Sequence, residues 1–178
     1  MNFIPFNEEV LFTKDPITTV SRNEINKLKK MAESNERRRI RLCTHMDIVD
    51  KVHEMVIVHK KHNYIRPHKH IGKSESFHII EGALELVVFD ELGNVDQSIL
   101  LGEYDSSYPF YWRLSESRFH TVIPKSEIVV FHETTSGPFH LQDTIYAEWS
   151  PKEEEHISKI RSYLDQLSGK NDPIIVEN

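Results

Sequence analysis

From Ile40 to Trp149 the chain shows no helical period. Short runs of β-branched and aromatic residues take its place. Arg41–Thr44, Val52–His59, Phe77–Ile80, Ala83–Phe89, Val95–Leu100, Phe119–Ile123, Ile128–Glu133 and Ile145–Trp149 each read as a strand. Turn residues separate them, among them Glu81-Gly82 and Asp90-Glu91-Leu92-Gly93-Asn94. Strands spaced roughly 8–12 residues apart, with no helix between them, fit a sandwich or barrel and exclude a doubly wound sheet.

Helical signals flank this region. Ser21 is an N-cap with Glu24 as its capping-box partner, and Ile25, Leu28 and Met31 follow at helical spacing toward an end near Ser34-Asn35. Pro151 opens a second helix, in which Ile157, Ile160, Leu164 and Leu167 form an apolar stripe ending at Gly169. Residues 1–20 read as an irregular or extended arm, because Pro5 and Pro16 oppose a regular element. Ile174-Ile175-Val176 offer an edge strand in the tail. The expected organisation is an arm and helix over 1–38, a β-barrel over 39–150, and a helix and tail over 151–178.

At 178 residues and 38% hydrophobic content, one core is affordable and a second full domain would be cramped. A net charge of −6 argues against a nucleic-acid partner, and the basic run Arg37-Arg38-Arg39-Ile40-Arg41 is too brief to reverse that. The single cysteine, Cys43, excludes an intramolecular disulfide, fits a reducing compartment and reads as buried and inert. The N-terminus has no basic and apolar leader pattern, and no apolar stretch approaches the ~20 residues of a membrane helix. The expectation is a soluble cytoplasmic protein with no membrane partner.

The chemistry concentrates between Arg66 and Gly82. His68 and His70, two residues apart, share one face of a strand. Glu75 follows after room for a tight turn at Ile71-Gly72, and His120 precedes a later apolar β-run. Imidazoles and a carboxylate on one face suit a divalent transition metal. With 11 histidines in the chain, an H-x-H pair alone is unremarkable, so its coincidence with Glu75, Gly82 and His120 carries the reading. His78 falls on the opposite strand face. His59 and His62 lie in a Lys-rich stretch and read as solvated loop residues, His132 and His140 as non-ligating residues near a barrel mouth, and His156 as exposed on the second helix. There is no G-x-S-x-G elbow, P-loop, dinucleotide fingerprint or H-E-x-x-H.

The pattern His68-x-His70-x4-Glu75-x6-Gly82 resembles the first motif of the cupin superfamily, with His62 standing where a glycine is usual. His120 takes the histidine position of the second motif. Ser115, Ser117 and Pro124 stand there in place of the usual proline, glycine and asparagine. A narrower resemblance, over residues 39–151, is to the WbuC-type cupin metalloproteins. It rests on Arg66-Pro67-His68-Lys69-His70, Lys73-x-Glu75, Gly82-x-Leu84-x5-Asp90-x2-Gly93, Gly137-Pro138-Phe139 and Trp149-Ser150-Pro151. His53-Glu54 depart from that family's Gln-Arg.

The resemblance implies an all-β cupin jelly-roll barrel with flanking N- and C-terminal helices. It implies Fe, Mn, Ni or Zn held by His68, His70, Glu75 and His120, and a homodimer that exchanges N-terminal strands. Its setting is bacterial surface-polysaccharide metabolism. Glu75 is then a ligand or, if it leaves the metal, a catalytic base. Arg66, Lys73 and Arg113 are candidates to hold a substrate carboxylate or phosphate, the alternative being ordinary surface charge. Tyr111, with Tyr104, Tyr108, Phe110 and Trp112, is a candidate wall for a sugar, the alternative being barrel packing. The expected function is a metal-dependent isomerase, epimerase or oxygenase acting on a sugar or sugar-derived molecule. The alternative is a non-catalytic metal- or sugar-binding module.

Overall fold

The computed structural model describes residues 3–168. In chain order the elements are β1 (Ile4–Pro5), β2 (Val10–Phe12), α1 (Arg22–Ser34), β3 (Arg39–Cys43), β4 (Val52–Lys60), β5 (His68–His70) and β6 (Glu75–Glu81). There follow β7 (Ala83–Phe89), β8 (Val95–Gly102), β9 (Tyr111–Leu114), β10 (Phe119–Pro124), β11 (Ile128–Ser136), β12 (Thr144–Tyr146) and α2 (Ile157–Ser168). The larger sheet has the order β1-β2-β3-β4-β11-β6-β9 and the smaller β12-β5-β10-β7-β8. Within them, β4-β11-β6-β9 and β5-β10-β7-β8 are the two antiparallel quartets of a jelly roll. The all-β cupin barrel expected from the sequence is therefore present in its strand order. The N-terminal arm is less irregular than its prolines suggested, since β2 runs parallel to β3 and extends the larger sheet of its own chain.

Nearly continuous buried, mostly apolar runs in the central strands, such as Leu84–Phe89 and Phe119–Pro124, make each sheet apolar on both faces, and this produces four layers. Between the sheets, Met55, Ile57, Phe77 and Ile79 meet Leu84, Leu86, Val88 and Val122. The outer face of the larger sheet is covered by α1, whose Leu28 and Ala32 pack on Ile40, Leu42, Val56, Val58 and Val130. Ser21 caps this helix through the expected capping box with Glu24. The outer face of the smaller sheet is covered by α2, where Ile160, Leu164 and Leu167 pack on Val87, Phe89, Phe119 and Ile123.

Some expectations need correction. The second helix begins at Ile157, six residues after Pro151, because the Pro151 carbonyl accepts from the Tyr64 hydroxyl (2.8 Å) and the Glu155 amide turns back to Lys152. Ile157 is thereby left exposed, outside the apolar stripe. The expected helix end at Gly169 and the edge strand at Ile174–Val176 lie outside the described residues. Strand β9 was not foreseen, and it holds part of the expected aromatic wall. His59 is not a solvated loop residue: it is buried on β4, edge-on to Phe131 with ring centroids 5.3 Å apart. Strand alternation places it in line with Met55 and Ile57, and this outweighs its Lys-rich neighbours.

Backbone conformation accounts for two positions of the first motif. Gly82, at the turn into β7, has φ +83°, and a Cβ there would lie 2.5 Å from the Ile128 carbonyl oxygen. His62, where cupins usually carry glycine, also has positive φ (66°). The position demands left-handed backbone, which a non-glycine residue adopts at a cost of roughly 1–2 kcal/mol.

Two predictions follow from this packing. Gly82→Ala should lower the unfolding free energy by about 2 kcal/mol or more, through both φ and the clash. Gly72→Ala, at φ +67° with nothing within 4 Å, should lose only about 1 kcal/mol; denaturant titration separates the two. Burial pushes the His59 imidazole down from 6.5 to about 3. Unfolding lets it take up a proton between those values, so its contribution to stability is complete above about 6.5 and is lost as pH falls toward 3. His59→Phe should flatten the pH dependence of stability in that window by about one proton.

Candidate metal centre

The two sheets bring four side chains together at one end of the barrel. His68 and His70 point inward from β5, and His68 lies directly opposite His120 on β10. Glu75 enters from the facing sheet as the first residue of β6, after the turn in which Gly72 has positive φ. One ring nitrogen from each of the three histidines falls in a group whose members all lie within 4.8 Å of one another. Glu75 reaches two of these, at 3.6 Å from His70 Nε2 and 2.8 Å from His120 Nε2.

The inner ends of the imidazoles are free because the outer ends are held. His68 Nδ1 donates to the Arg66 carbonyl (2.9 Å) and His120 Nδ1 to the Arg118 carbonyl (2.9 Å). A carbonyl can only accept, so both Nδ1 atoms carry hydrogen and both Nε2 atoms are left to bind. His70 Nδ1 is paired with Thr144 Oγ1 at 3.1 Å, from the neighbouring strand β12. Ser117 secures the turn: its hydroxyl donates to the His70 carbonyl (2.7 Å) and accepts from the Gly72 amide (3.3 Å). This serine, at the place of the motif's glycine, thus serves the ligand strand.

The contact between His120 and Glu75 is close but misaligned. Although the atoms are 2.8 Å apart, His120 Nε2 and Glu75 Oε2 are both buried without a hydrogen bond of acceptable geometry. Two buried polar atoms that converge without bonding each other fit a shared third partner, and the donor set of imidazoles and carboxylate is one that divalent transition metals take. Electrostatics agrees. Burial and the neighbouring His120 and His70 push His68 down to about 3, so it is neutral and ready to ligate. Burial alone would raise Glu75, but the His120 and His70 imidazoles outweigh it and hold the carboxylate ionised. Burial would lower His120, yet Glu75 raises it above 6.5.

The ligand group opens on a cavity of about 430 Å³ between the sheets, which also reaches Phe77, Phe131, Glu133, Arg41 and Arg66. Glu133, on β11 one step from Met55 and Phe77, escaped notice in the sequence. Burial and the adjacent Glu75 carboxylate push it well above the usual carboxylate range, so it keeps its proton. The signal was present in the inward alternation Val129, Phe131, Glu133.

Of the expected substrate residues, only Arg66 lines this cavity. It is held by the Ala147 carbonyl (2.7 Å) and Ser150 Oγ (3.4 Å) and lies over the Tyr146 ring. Lys73 donates to the Pro138 carbonyl and pairs with Asp143 at 3.2 Å, while Arg113 donates to Ser74 and Ser115; all of these lie outside the cavity lining. Tyr111 is exposed on β9, also away from the cavity, whereas its neighbour Trp112 stacks on Phe77 inside the barrel. Cys43 is buried, and burial pushes its thiol up to about 11.

Residues 20–101 match the model of a family described as a domain of unknown function (DUF6016). That span contains His68, His70 and Glu75 and stops before His120. No curated protein matches the chain. Among solved structures, the chain is similar to a mutant of Bacillus subtilis oxalate decarboxylase at 19% identity and a TM-score of 0.45, over 61% of this chain and 27% of that one. It is similar to a protein from Shewanella oneidensis at 10% identity and a TM-score of 0.49, over 73% and 81%. The cupin domain of Schizosaccharomyces pombe Cnp3 is similar at 12% identity and a TM-score of 0.43, over 55% and 64%. The chain spans about a quarter of the length of the oxalate decarboxylase. No described helix is long and apolar enough to cross a membrane.

A metal entering this site must displace the proton of His120. Calorimetric titration with Co(II) in buffers of different ionisation enthalpy should show about one proton released per ion, with affinity increasing from pH 6 to 8.

Proposed function

We propose that this chain is a metal-dependent enzyme in which His68, His70, His120 and Glu75 hold one divalent transition ion beside a small polar substrate. The observation that supports it most directly is the placement of the four donors on the wall of a cavity of about 430 Å³. A module that only binds a metal has no need of that space. Fe, Mn, Ni or Zn bound there would supply Lewis-acid polarisation of a substrate oxygen.

The chain's own residues supply the rest. Phe77 and Phe131 supply an apolar wall beside the donors, and charge interactions against such a wall are stronger than in open water. Glu75 and Glu133 are neighbouring carboxyls driven in opposite directions, one held ionised and one holding its proton. Such a division suits paired proton acceptance and donation, with Glu133 as the acid and Glu75, when it leaves the metal, as the base. It is the proton-holding Glu133 that favours an enzyme over a binding-only module. The resemblance to WbuC-type proteins supports a sugar or sugar-derived substrate of surface-polysaccharide metabolism, transformed by isomerisation, epimerisation or oxidation. It equally supports a cytoplasmic homodimer.

The test is a turnover screen of metal-replete protein against nucleotide sugars and sugar acids, read by NMR in deuterated water. Turnover should require the metal, and His68→Ala should lose both. Glu133→Gln should retain the ion while losing about 100-fold in kcat. Metal content undiminished in His68→Ala would remove the ligand assignment, and stoichiometric metal with no turnover of any such substrate would leave a binding module.

A further inference from the structure

The basic run Arg37-Arg38-Arg39-Ile40-Arg41 gained no role from the sequence, and the structure divides it. Arg37 and Arg39 are neutralised at the edge of the cavity. Arg37 Nε lies 3.2 Å from Glu9 Oε1 and its guanidinium also pairs with Glu153, while Arg39 Nε lies 2.7 Å from Glu9 Oε2. Both Glu9 oxygens are thereby occupied. Arg41, next on the same strand face, also lines the cavity but forms no ion pair and no side-chain hydrogen bond among the described residues. Glu9, a carboxylate whose charge also reaches Arg41, already has both oxygens taken by Arg37 and Arg39. Arg66, the other cavity arginine without a carboxylate, is committed to Ala147 and Ser150.

We infer that Arg41 is an anion anchor, holding a carboxylate or phosphate on the same small molecule whose other end reaches the metal centre. This deepens the reading of the cavity as a substrate site and rests on it. Strand β3 lies outside the eight barrel strands, three pairings from β6 through β4 and β11. At the usual strand spacing that is on the order of 14 Å along the sheet, shortened by the reach of the arginine side chain. The span suits a molecule of sugar size with an acidic group at one end. A planar guanidinium with every donor free suits a two-oxygen anion.

The experiment follows the arginine Nε–Hε resonances of the full chain during titration with inorganic phosphate and, separately, acetate. At least one anion should shift the Arg41 resonance saturably, and the stronger of the two identifies the chemistry of the acidic group. Followed through the Phe131 amide, Arg41→Ala should weaken that binding at least fivefold, and Arg41→Lys should recover part of it. Repeating the titration in His120→Ala separates this inference from the metal reading. Metal content reports on the ligand set, and Arg41-dependent binding that persists without metal supports the anchor. Absence of a saturable shift, or equal binding in Arg41→Ala, would overturn it.

Discussion

The meeting of Glu75 with His68, His70 and His120 is the constraint on which the rest of this structure depends. The carboxylate belongs to one sheet and the imidazoles to the other, so the four donors converge only while the sheets face each other at a fixed separation. That separation is set below the site by Phe77, Ile79 and Phe131 packing against Leu86, Val88 and Val122. Helices α1 and α2 hold the sheets from outside by covering their apolar outer faces. Core packing and site geometry are therefore one problem. Left-handed backbone, which Gly82 adopts freely and His62 at a cost, turns the chain into the strands that deliver these residues.

Electrostatics follows from the same placement. Burial takes water from several titratable groups that line the cavity, and these respond according to their neighbours. His68 and His59 lose their protons, His120 is raised by Glu75, Glu75 is held ionised by imidazoles, and Glu133 retains its proton beside Glu75. At the cavity edge, Glu9 and Glu153 neutralise two arginines and leave Arg41. The site thus runs from a donor cluster at one end to Arg41, which forms no ion pair among the described residues, at the other.

Much of this was legible in the sequence, because the period of a strand is two and the ligands obey it. H-x-H on one face, a glycine-bearing turn and a carboxylate on the facing strand state their geometry in the order of residues. The strand run from Val52 to Glu133, the capping box at Ser21 and the inert Cys43 were readable for the same local reasons. What escaped depended on contacts between distant segments. His59 sits among lysines in the sequence and faces Phe131 only after β4 pairs with β11. Glu133 and Arg41 gain their chemistry from neighbours on other strands. The start of α2 is delayed by a hydroxyl 87 residues away, that of Tyr64.

The most direct test is X-ray absorption at the metal edge of the loaded full chain, compared with the same measurement on Glu75→Ala. The account predicts three imidazole nitrogens and one carboxylate oxygen at about 2.0–2.2 Å, with the carboxylate scattering lost in the variant. An ion with fewer than three imidazoles, or a shell unchanged by Glu75→Ala, would contradict it.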